Sequence, residues 1–128
     1  MNRTLIAFIT TTLLALVARV DGAEDPMALA QKEKKVVVYH TSTNPDMFAM
    51  AAGFKKKYPF AEVEGYRGTG EKLLQKITTE VRAGQGFADV YMISGLQTWI
   101  LKDLGLLSIY RSAERDKVQP ALRDQQGY

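Results

Sequence analysis

Apolar positions along this chain switch between continuous runs and a helical period. Val36-Val37-Val38-Tyr39-His40 is an apolar, β-branched run with charges before it and Thr41-Ser42-Thr43-Asn44-Pro45 after it. It predicts a strand buried on both faces. Met47, Met50, Ala51, Phe54 and Tyr58 then fall on one face of a helix. Asn44 is the expected N-cap, with Pro45 at the first helical position, where its missing amide costs nothing. Lys55, Lys56 and Lys57 complement the macrodipole in the last turn, and Pro59 stops the helix. Ala61-Glu62-Val63-Glu64-Gly65-Tyr66 alternates polar with small or apolar residues, which predicts a strand at an edge or open on one side. Leu73, Leu74, Ile77 and Val81 form a second helical stripe closed by Gly84. Ala88-Asp89-Val90-Tyr91-Met92-Ile93 predicts a third strand, and Leu96, Trp99, Ile100 and Leu104 a third helix stopped at Gly105. Leu106 to Tyr110 is a candidate start of a fourth strand, and beyond Arg111 the chain turns charged and weakly patterned.

Strand alternating with helix three times defines an α/β fold, a parallel sheet with right-handed crossovers. The first and third strands are apolar throughout and are expected inside the sheet, with the glutamate-bearing second strand at its periphery. The predicted order is therefore 2-1-3. Ligands of open parallel sheets bind outside the carboxyl ends of the strands, where the order reverses. Three loops reach that place, and their hydroxyls and glycines are the candidate ligand-binding residues: Thr41, Ser42 and Thr43; Gly68, Thr69 and Gly70; Ser94 and Gly95. Each loop leads into a helix whose first amides lack internal partners, an arrangement that favours negative charge. The competing reading is that Thr41, Ser42, Thr43, Asn44 and Thr69 simply cap their own helices. The stretch Gly65-Tyr66-Arg67-Gly68-Thr69-Gly70-Glu71-Lys72-Leu73 is not a P-loop, because Glu71 separates Gly70 from Lys72 and no hydroxyl follows the lysine. It also lacks the third glycine of a dinucleotide fingerprint.

No catalytic constellation emerges, and no enzyme is expected. His40 is the single histidine and reads as structural; Asp89 has no basic neighbour and is expected to accept hydrogen bonds from loop backbone. Trp99, at helical spacing with Leu96 and Ile100, is expected in the core, as are Tyr39 and Tyr91. No cysteine is present, which excludes disulfides and thiolate chemistry. No cofactor and no resident metal ligand are assigned.

The N-terminus changes the setting. Met1-Asn2-Arg3, an apolar run from Leu5 to Ala18 and a polar stretch to Pro26 have the layout of a secretory signal peptide spanning 1–23, with cleavage after Gly22 or Ala23. The run is shorter than the ~20 residues of a membrane-spanning helix. Residues 24–128 then form the exported part. Its formal charge is +2, since the +3 of the whole chain includes Arg3 and Arg19 against Asp21. That balance is too mild to imply nucleic acid.

Lys35-Val36-Val37-Val38-Tyr39, Phe54-Lys55-Lys56-Lys57-Tyr58-Pro59, Arg67-Gly68-Thr69-Gly70-Glu71-Lys72-Leu73-Leu74 and Ala88-Asp89-Val90, in that order, resemble bacterial periplasmic solute-binding proteins of ferric-iron and related small-molecule ABC importers. The resemblance runs from about Lys35 to Tyr128 and implies a periplasmic-binding-protein-like lobe, incomplete here, of a two-lobed monomeric receptor. Such a receptor closes on its solute and passes it to a permease at the inner membrane. In ferric members a histidine after the first strand and a glutamate after the third ligate iron. Thr43 and Ser94 stand at those places and are poor iron ligands, and the family's tyrosine ligands belong to a second lobe that this sequence lacks. The solute implied is ferric iron or an anionic, oxygen-rich organic molecule. Two other readings stay open: a small flavodoxin-like enzyme for a phosphorylated substrate, for which only Glu71 lies near the loops, and the ligand-sensing domain of a regulator, which a helix-turn-helix rather than a signal peptide should precede.

Overall fold

The structure is a computed structural model that describes residues 25–127. The expected signal peptide, 1–23, lies outside the described residues.

The first element is one the periodicity did not predict. Helix α1, Pro26–Glu33, has no buried residue, so it leaves no apolar stripe in the sequence. Local chemistry specifies it instead: Asp25 accepts the Met27 amide at 3.1 Å, and Pro26 opens the helix. It ends at Lys34, whose left-handed φ of 57° turns the chain into strand β1, Lys35–His40. Helix α2, Asn44–Lys57, follows. Its N-cap is Thr43, not Asn44: the Thr43 hydroxyl accepts the Asp46 amide at 3.4 Å, placing Asn44 first in the helix and Pro45 second. Strand β2, Glu62–Arg67, helix α3, Gly70–Arg82, strand β3, Val90–Met92, and helix α4, Gly95–Asp103, complete the alternation.

The sheet order is β2-β1-β3, with both pairings parallel. β1 runs beside β2 from Lys35 opposite Glu62 to His40 opposite Arg67, and beside β3 from Val38 opposite Val90 to His40 opposite Met92. The 2-1-3 order is thus as predicted, but β3 is not interior. It forms an edge of the three-stranded sheet, and Val90 is 43% exposed. Apolar content alone cannot say how many neighbours a strand has. Leu106–Tyr110 forms no strand and lies in irregular chain, followed by two short 3-10 turns at Arg115–Lys117 and Pro120–Leu122. This segment returns to α4, where Lys102 meets Asp124 at 2.6 Å.

Successive β1 side chains point to opposite faces. Tyr39 joins Leu73 and Ile77 of α3 and Leu101 of α4 in the buried core, with Val37, Leu74 and Tyr91 packed against it. Burying each of the three aliphatic side chains stabilises by about 1.5–3 kcal/mol. The Tyr39 hydroxyl donates to Glu80 at 2.9 Å, and the Lys76 ammonium, 2.6 Å from Glu80, stands 5.3 Å from the Tyr39 ring centre and 4.8 Å from that of Tyr66. On the other face His40 and Met47 of α2 meet across Gly65, at whose missing Cβ position both would be in contact. Of the α2 stripe only Met47 is buried, while Met50 and Phe54 remain exposed. Trp99, expected in the core, is 61% exposed, because α4 turns Leu101 rather than Trp99 to α3 and the sheet.

Candidate functional site

The carboxyl ends of the three parallel strands release three short loops, and hydrogen bonds tie these loops together. Leaving β1, Thr41 donates its amide to Met92 of β3 at 3.0 Å. Arg67, the last residue of β2, donates Nε to the Ser42 carbonyl at 2.9 Å, and Gly68 donates its amide to His40 at 3.1 Å. Thr43, Thr69 and Ser94 occupy the N-cap positions of α2, α3 and α4, all in extended conformation. Gly70 and Gly95 are the first residues of α3 and α4. The eight candidate residues therefore sit at one end of one sheet.

Their roles differ. Thr43 and Thr69 cap their helices, the latter accepting the Lys72 amide at 3.4 Å. Ser94 makes no side-chain cap bond; its hydroxyl donates to Gln97 one turn on. The first amides of α4 are thus left for solvent or a ligand. Gly68 answers to packing: a Cβ there would lie 2.9 Å from the fully buried Leu73 side chain. Gly70 answers to the site itself, since its Cβ would stand 2.7 Å from the Gln97 amide group. Arg67 bonds one loop to the next, and Gln97 packs α4 against Gly70 of α3. In the sequence Arg67 opens the second loop, Arg67 to Gly70, with no binding role assigned to it, and Gln97 is not singled out. A strand-end arginine beside a glycine turn is a readable signal; Gln97 falls on a helix face that only the tertiary fold aims at α3.

Beside Ser94 a hollow of about 280 Å³ is lined by Ile93, Gly95, Thr98, Trp99, Lys102 and Asp124. Beneath the first loop, between α2 and β2, lies another of about 230 Å³ that includes His40, Asn44 and Arg67. Larger apolar hollows, of about 420 and 520 Å³, lie beside α1 at the opposite end of the strands and under the open edge of β3. Size alone would favour them. None of these four hollows receives all three helix N-termini: the one beside Ser94 is lined by Gly95 of α4, and the one beneath the first loop by Asn44 of α2. Asp89 does not serve a loop: its carboxylate accepts the Val37 amide of β1 at 2.8 Å, so it holds the two strands in register. Among the described residues no group of three or more His, Cys, Asp or Glu side chains could hold a metal ion.

A three-stranded parallel sheet of order 2-1-3, with helices on both faces, matches a periplasmic-binding-protein-like lobe. Among solved structures the chain is similar to a Trichodesmium protein, IdiA (FutA), in complex with iron and citrate ligands, at 25% identity and a TM-score of 0.62. The likeness covers 73% of this chain but 29% of that one, so this chain spans well under half of the neighbour's length. No protein-family model matches the sequence. No curated protein matches it.

Proposed function

We propose that this chain forms one wall of the solute cleft of a periplasmic binding protein serving an ABC importer. The solute is an oxygen-rich organic anion, free or as its ferric chelate, held by Ser42, Gly70, Ser94, Gly95 and the helix amides behind them, with Arg67 as countercharge. The observation that carries this reading is the convergence of three helix N-termini and Arg67 on one sheet end, in a fold shared with a protein solved with iron and citrate. Hydroxyls, amides and a guanidinium suit carboxylate oxygens better than they suit a bare ferric ion. Iron, on this reading, arrives already clothed by its chelator or is ligated by residues outside this chain. The signal-like N-terminus supports delivery to the periplasm, and a membrane permease is the partner that such a receptor serves.

The test is a titration of the chain with citrate, ferric citrate and phosphate, following the fluorescence of Trp99, the single tryptophan, which lines the hollow beside Ser94. Citrate or ferric citrate should give a saturable change, weakened about tenfold by Arg67→Gln through loss of a charge-assisted hydrogen bond. A response to none of the three, or one that Arg67→Gln leaves intact, overturns the reading.

A further inference from the structure

We propose that the hollow between α2 and β2 is a second binding site, and that it takes a short organic monocarboxylate. The inference is independent of the solute reading, although Arg67 borders both places. His40 is 2% exposed, and its Nδ1 is buried without a hydrogen-bond partner. Nδ1 is shut away from solvent, so a group that enters the hollow meets the ring on the side of Nε2, the nitrogen beside Gly65 of the same lining, where an N–H can donate to a carboxylate. The lining divides by chemistry. His40, Asn44 and Arg67 supply polar groups, and no carboxylate lines the wall, so the charge balance selects an anion. Met47, Phe48, Ala51 and Val63 supply the rest, a surface suited to a hydrocarbon tail rather than to a fully hydrated ion.

Two features keep the hollow in shape. The Ser42 carbonyl anchors Arg67 through Nε at 2.9 Å, which limits the guanidinium's freedom before any ligand arrives. Gly65 has no Cβ, and one placed there would lie 3.1 Å from His40 Nε2 and 3.3 Å from Met47 Cγ. At about 230 Å³ the space exceeds that of several water molecules, each claiming about 30 Å³ in the liquid.

Because the chain has a single histidine, the ring protons of His40 are unambiguous reporters by NMR. The chain is titrated with butyrate and, separately, with inorganic phosphate at constant pH and ionic strength. Butyrate should shift the His40 signals saturably; phosphate should not. Ala51→Leu, which fills the hollow from α2, should weaken butyrate binding about tenfold and leave the Trp99 response to ferric citrate unchanged, which separates this site from the solute cleft. Should that variant fold poorly, Phe48→Ala serves in its place: Phe48 is 72% exposed, so its loss removes part of the apolar wall while sparing the core, and butyrate should weaken several-fold. No saturable shift, an equal saturable shift with phosphate, or wild-type butyrate binding in the folded variant overturns the proposal.

Discussion

At the scale of single residues, Tyr39 shows how one side chain serves several neighbours. It is 3% exposed, its ring lies 5.2 Å from Tyr66 and 6.2 Å from Tyr91, and its hydroxyl reaches Glu80. Burial, and after it the hydrogen bond to Glu80, raises its pKa above the usual 10.0. Tyr91 is raised too, chiefly by burial, and the Glu80 hydrogen bond raises Lys76 above 10.5. A group whose pKa is higher folded than unfolded holds its proton better when folded, so its contribution is complete below the unfolded pKa and is lost as pH climbs through the folded one. Stability of the chain should therefore fall above about pH 10. Tyr39→Phe should cost about 1 kcal/mol at pH 8, where it removes one hydrogen bond, and should flatten the alkaline decline only in part, since Tyr91 and Lys76 remain. Urea midpoints measured from pH 8 to 11 check both statements; an unchanged alkaline slope in the variant would remove Tyr39 from the explanation.

At the scale of elements, α3 and α4 end alike. Gly84 and Gly105 have φ of 71° and 67°. In α4 the Gly105 amide returns to Lys102 and the Leu106 amide to Leu101; in α3 Gly84 returns to Val81 and Gln85 to Glu80. This paired closure needs a left-handed residue after the last turn, which glycine adopts without penalty. A Cβ at Gly105 would touch nothing within 4 Å, so Gly105→Ala should lose about 1–2 kcal/mol from conformation alone. Gly53 sits inside α2 with equally open space, and Gly53→Ala should gain about 0.5–1 kcal/mol. Opposite shifts of the thermal midpoint are the expected result. At the site end, Gly70→Ala should keep stability within about 0.5 kcal/mol, because the obstacle is the mobile end of Gln97. Displacing Gln97 should still weaken citrate binding, as followed through Trp99 fluorescence; unchanged affinity would show that Gln97 takes no part in the site.

At the scale of the whole molecule, sequence and structure agree where a pattern records a local event and part where it records a neighbour. The β-branched run of β1, the glutamates of β2 and the two terminating glycines each carry their own explanation, so strand order and helix ends were legible. The caps were legible as a chemical type, with Thr43 rather than Asn44 in the position. Helical spacing revealed that α4 has an apolar face but not what covers it, hence Trp99 and Leu96 lie 61% and 64% exposed. The same holds for the apolar edge of β3. Among the described residues seven apolar side chains are buried, against sixteen large ones that are exposed, an imbalance that leaves apolar surface open to water. The chain should therefore bind a hydrophobic dye such as ANS while folded. Leu96→Ser and Trp99→Ser together should reduce that binding yet leave the unfolding free energy measured by urea titration within about 0.5 kcal/mol, since exposed side chains contribute little to folding. A loss of more than about 2 kcal/mol in the double variant, the size expected of core residues, would mean that α4 packs this face against the rest of the chain and that the open surface lies elsewhere.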